Sequence, residues 1–133
     1  MARKRGFKNP NNPLDFFFKV VYYYNMKKYT FEEIKEFARQ IENKEIKETK
    51  EVLRRKDEGG WSVAHELAFP SDVTNWSTGD KEILKLKDKG KWSVAHELAY
   101  IHPTWSTGDI EVLSLADKYG CTVEDVLVKK GKM

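Results

Sequence analysis

The chain has 133 residues, enough for one hydrophobic core and a single domain. Its one cysteine, Cys121, excludes an internal disulfide and any paired-cysteine metal site, which suits a reducing compartment. The formal net charge of +3 is uneven: fifteen Lys and Arg stand against ten Asp and Glu up to Gly60, including all five arginines, and nine against eleven afterwards.

Residues 1–13 form a basic arm with Arg3, Lys4, Arg5 and Lys8, punctuated by Asn-Pro and Asn-Asn-Pro, and read as an exposed leader. No continuous apolar stretch and small-residue cleavage site follow it, so no signal peptide is expected. Leu14 to Lys28 carries Phe16, Phe17, Phe18, Val20, Val21 and Tyr22 to Tyr24. Its apolar residues follow helical spacing on nearly all sides, which predicts a helix buried between other elements or in a homodimer through Phe16 to Tyr24. It falls short of the about 20 residues a membrane helix needs, and a cytoplasmic protein without membrane association is expected.

Thr30-Phe31-Glu32-Glu33 is a capping box, with Thr30 at the N-cap and Glu33 reaching back. The helix it opens places Phe31, Ile34, Phe37, Ala38 and Ile41 on one face. Residues 14–49 thus form an N-terminal helical pair, and the charged stretch Asn43 to Lys50 joins it to residues 50–133.

That last part is internally repeated. Trp61 to Ala68 reads WSVAHELA, and so does Trp92 to Ala99, 31 positions later. WSTGD recurs at Trp76 to Asp80 and Trp105 to Asp109, each time followed by Glu-hydrophobic-Leu after one residue. With Asp57, Asp88 and Asp117 in register, Trp61, Trp92 and Cys121 align, as do Val63, Val94 and Val123. A period of about 30 residues is that of architectures in which one supersecondary unit stacks on the next. Each unit reads as a short helix, a glycine turn and a second helix N-capped by Ser62, Ser93 or Thr122. The third copy replaces Ala-His-Glu by Glu124-Asp125-Val126, the changed face that a terminal unit requires.

Asp57-x-x-Gly60-x-Ser62-Val63-Ala64-His65-x-Leu67-Ala68 resembles the ankyrin repeat pattern Asp-x-x-Gly-x-Thr-Pro-Leu-His-x-Ala-Ala, in a Val-Ala-His variant of prokaryotic ankyrin-like proteins. Gly79 to Leu86 is similar to the ankyrin second helix. Val63 and Val94 stand in place of the proline, Lys91 in place of the turn glycine, and the linkers after Phe69 and Tyr100 differ in length. The resemblance implies an all-α fold: a short ankyrin-like helix-turn-helix repeat stack of about two and a half repeats with an N-terminal helical cap. It further implies that His65 and His96 fix the turns by hydrogen bonds within and between repeats.

Catalysis finds little support. His65 and His96 would sit about 10 Å apart in stacked helices, too far to share a metal ion. His96 and His102 are six apart and followed by Pro103, which does not fit the zinc-protease pattern of histidines four apart on one helical face. No phosphate loop or nucleophile elbow is present, and no cofactor is expected. Trp76 and Trp105 read as core. Trp61 and Trp92 allow two readings: an aromatic ladder facing a partner beside Glu66 and Glu97, or indoles covering the edges of a small core.

The expectation is a non-catalytic protein–protein interaction module contacted at Trp61, Glu66, Lys89, Lys91, Trp92, Glu97 and Tyr119. The alternative is weak, sequence-independent nucleic-acid binding through the basic arm together with Arg54, Arg55 and Lys56. Abundant lysine and glutamate with a single glutamine fits a thermophilic source.

Overall fold

The computed structural model describes residues 28–69 and 76–133. The basic arm, the Phe16 to Tyr24 segment and most of the linker after Phe69 lie outside them. The described residues contain seven helices and no strand, in agreement with an all-α fold. None of these helices is long and apolar enough to cross a membrane.

The first helix, α1 (Phe31–Glu42), begins where the sequence predicts. Thr30 Oγ1 accepts from the Glu33 amide and the Glu33 carboxylate accepts from the Thr30 amide. Ile34, Ala38 and Ile41 are buried, while Phe31 at the helix start stays largely exposed.

Six further helices follow in short-then-longer pairs: α2 (Lys50–Leu53) with α3 (Val63–Ala68), α4 (Lys81–Leu84) with α5 (Val94–Ile101), and α6 (Ile110–Leu113) with α7 (Val123–Lys129). The short members are single turns capped by Thr49, Asp80 and Asp109. Helices this short are unstable in water alone, so tertiary packing holds them. Helix α1 packs on α3, α3 on α5 and α5 on α7, and each short helix contacts the longer member of its pair. Leu67, Leu98 and Leu127, with Val63, Val94 and Val123, are completely buried along this line. Ala64, Ala68, Ala95 and Ala99 are equally inaccessible, and their small side chains permit close helix approach.

Between the members of each pair the chain makes a tight turn organised by one aspartate. Asp57 Oδ1 accepts from the amides of Gly59 and Trp61, at 2.8 and 3.0 Å. Asp88 does the same for Gly90 and Trp92, and Asp117 for Tyr119 and Cys121. The fourth turn residue has positive φ in all three: 81° at Gly60, 64° at Lys91 and 85° at Gly120. Lys91 therefore occupies a left-handed conformation that glycine adopts without a Cβ penalty. Gly60 is required for a second reason, since a Cβ there would lie 2.9 Å from the Cα of Asp88 in the next turn.

Candidate functional site

The twice-occurring octapeptide builds the same local arrangement twice. Ser62 caps α3 by accepting from the His65 amide, and His65 returns the bond by accepting the Ser62 amide at Nδ1. The Ser62 hydroxyl lies 2.7 Å from the same nitrogen. Because Nδ1 accepts a backbone N–H, the ring proton sits on Nε2, which donates to the Trp92 carbonyl of the next pair at 2.9 Å. His96 repeats this with Ser93 and with the carbonyl of Cys121. Both rings are inaccessible to solvent. Burial holds His65 down at a pKa of about 4 and lowers His96 in the same direction. The hydrogen bonds are those expected of these histidines.

Each indole lies over a histidine. Trp61 and Trp92 are partly buried, with ring centroids 4.7 Å from those of His65 and His96. The Trp61 Nε1–H donates to Glu66 at 2.9 Å and the Trp92 Nε1–H to Glu97 at 2.8 Å. The outer edge of each indole meets a further ring, Phe69 or Tyr100, in a T-shaped contact at 6.4 Å. The indoles pack against the core, and the aromatic surface continues outward through Phe69 and Tyr100, each about half exposed.

Glu97 departs from the expected partner-facing position. It is 5% exposed, on a helix that packs against α3 on one side and α7 on the other. Burial raises its pKa, opposed by the Trp92 hydrogen bond and reinforced by the charges of Asp88 and Glu66. Glu66, one pair earlier, keeps partial access to solvent. Lys89, Lys91 and Tyr119 are exposed at the turn tips, as a contact surface would require.

The basic residues weighed for nucleic acid are differently disposed. The Arg55 guanidinium stacks over Phe37 and Tyr29 and pairs with Glu51. Lys56 donates to the Lys87 carbonyl at 2.8 Å, and burial lowers its pKa. Both serve internal contacts rather than a free basic patch, because their neighbours offer rings and carbonyls at close range. Arg54 is exposed, and Arg3, Lys4, Arg5 and Lys8 lie outside the described residues.

Among the described residues no group of three or more His, Cys, Asp or Glu side chains could hold a metal ion. Trp76 and Trp105 are partly buried against the core, and His102 Nδ1 accepts the Thr104 and Trp105 amides that follow Pro103. Sequence reasoning did not single out Phe69 and Tyr100 as part of the surface. Their spacing of 31, the same as that of the tryptophans, was the available signal.

No family model, curated protein or solved structure matches the chain.

Proposed function

We propose that this chain is a non-catalytic protein–protein interaction module: a short ankyrin-like stack of about two and a half repeats, closed at its N-terminal side by a helical cap. The observation that carries the reading is the duplicated aromatic surface. Trp61–Phe69 and Trp92–Tyr100 recur in one geometry, with the outer ring of each pair half exposed, and Lys89, Lys91 and Tyr119 are exposed at the turn tips. Rigid aromatic side chains bordered by charge are the usual anchors of protein contacts. The buried histidines and Glu97 hold this surface from within, so Trp61, Trp92, Glu66 and the tips meet a partner while Glu97 acts through Trp92.

The reading is tested with the full chain as bait, against a variant carrying Phe69→Ala, Tyr100→Ala and Lys91→Glu. A partner identified with the parent chain and lost with the variant, at unchanged circular dichroism, supports it. Equal capture by both overturns the assignment of the surface.

A further inference from the structure

The two aromatic pairs share a geometry and differ in what lies over the outer ring. At the second pair, Lys130 at the end of α7 holds its ammonium 4.6 Å from the centre of the Tyr100 ring. One pair earlier the register position of Lys130 is Ile101, which carries no charge. Among the described residues no cation lies over Phe69, although its ring is 54% exposed. The fold thus builds the same ring arrangement twice and places a lysine on it once.

The surroundings of Phe69 favour the same kind of occupant. Glu66 lies three residues before it, which makes the two neighbours on one helix face. The Trp61 indole touches both, donating to the Glu66 carboxylate and meeting the Phe69 ring in the T-shaped contact. A carboxylate accepts at two oxygens, and the indole takes one. Glu66 also lines a groove of about 400 Å³ between α1 and α3, where Glu32, Glu36 and Glu42 stand with it against Lys35 and Arg39. Arg39 is held by Glu36 and Glu45, and Lys35 lies over the Phe31 ring, so the groove is net negative.

The face of an aromatic ring attracts a cation, and a carboxylate beside it adds to the attraction. A lysine satisfies both while its alkyl stem lies along apolar surface. We propose that Phe69, Trp61 and Glu66 receive a lysine side chain from a basic segment of the partner, as Tyr100 receives Lys130. This rests on the interaction surface proposed above and adds the chemistry of what binds there.

The test is an NMR titration of the full chain that follows the Trp61 indole N–H. The probe is a short lysine–alanine peptide at low ionic strength, with a glutamate–alanine peptide of equal length as control. A saturable shift with the lysine peptide alone is expected. Phe69→Ala and Glu66→Gln should each weaken binding by about threefold or more, at unchanged circular dichroism. Lys130→Ala should uncover Tyr100 and make the Trp92 indole N–H respond to the same peptide, a gain that loss of folding cannot produce. The proposal is overturned by a Trp61 indole that the lysine peptide leaves unmoved, by an equal response to the glutamate peptide, or by binding indifferent to Phe69→Ala and Glu66→Gln. A Trp92 indole that stays silent in Lys130→Ala overturns it as well. If the variant carrying Phe69→Ala, Tyr100→Ala and Lys91→Glu still loses a captured partner in any of these cases, the interaction surface stands and the lysine assignment alone falls.

Discussion

The Nε2–H of His65 donates to the backbone carbonyl of Trp92 at 2.9 Å, joining one helix pair to the next through a side chain that also caps its own helix. Two nitrogens serve two purposes. Nδ1 takes the place that a glutamate holds in an ordinary capping box, as Glu33 does at α1, and Nε2 reaches the neighbouring turn. A carboxylate does only the first, and in the third pair the position is Asp125.

Burial of the two imidazoles makes stability depend on pH. Their folded pKa values are depressed below the ordinary 6.5, to about 4 for His65, so the unfolded chain binds protons that the folded chain refuses. Their contribution is therefore lost as pH falls from about 6.5 towards the folded value, about 3 kcal/mol for His65 alone. Urea denaturation midpoints between neutral and acid pH measure the slope.

Glu97 works in the opposite direction. Its folded pKa is raised, so the unfolded chain releases a proton first and stability falls as pH rises from the ordinary carboxylate value through the folded one. Glu97→Gln removes this term and keeps an oxygen for the Trp92 indole. The variant should be more stable than the parent at neutral pH, and its advantage should shrink in acid. An unchanged or lowered midpoint at neutral pH would refute this.

The two indole bonds, alike in length, differ in consequence. Trp92→Phe leaves the buried Glu97 carboxylate without its indole donor and should cost about 2 kcal/mol beyond the loss of ring area, whereas water can replace the donor at Glu66 in Trp61→Phe. Paired denaturation curves should place Trp92→Phe clearly below Trp61→Phe.

The turn tips give a backbone test. Lys91→Gly relieves a left-handed lysine and should stabilise the protein by about 1 kcal/mol. Gly60→Ala and Gly120→Ala share the φ penalty, but only the first brings a Cβ against the Asp88 backbone. Thermal melts should therefore rank Gly60→Ala as the more damaging.

Much of this was legible in the sequence because it is local. The Thr30, Ser62, Ser93 and Thr122 caps, the aspartate turns and the unusual Lys91 each follow from a few adjacent residues. The fate of Glu66 and Glu97 was not legible, since both sit in the same octapeptide. Glu97 is buried and Glu66 is reached by solvent although α3 and α5 each pack between two other helices, so the difference is set by residues outside the octapeptide. The internal contact of Lys56 was not legible for the same reason: its acceptor is a carbonyl 31 residues on.

The most direct test of the framework role of the duplicated histidine is the titration of His65, followed by long-range nitrogen–proton NMR on the full chain. The expected result is a neutral ring protonated at Nε2, with no titration until the pH approaches about 4. A ring that titrates near the ordinary 6.5, or carries its proton on Nδ1, would contradict the account and return this histidine to the candidates for chemistry.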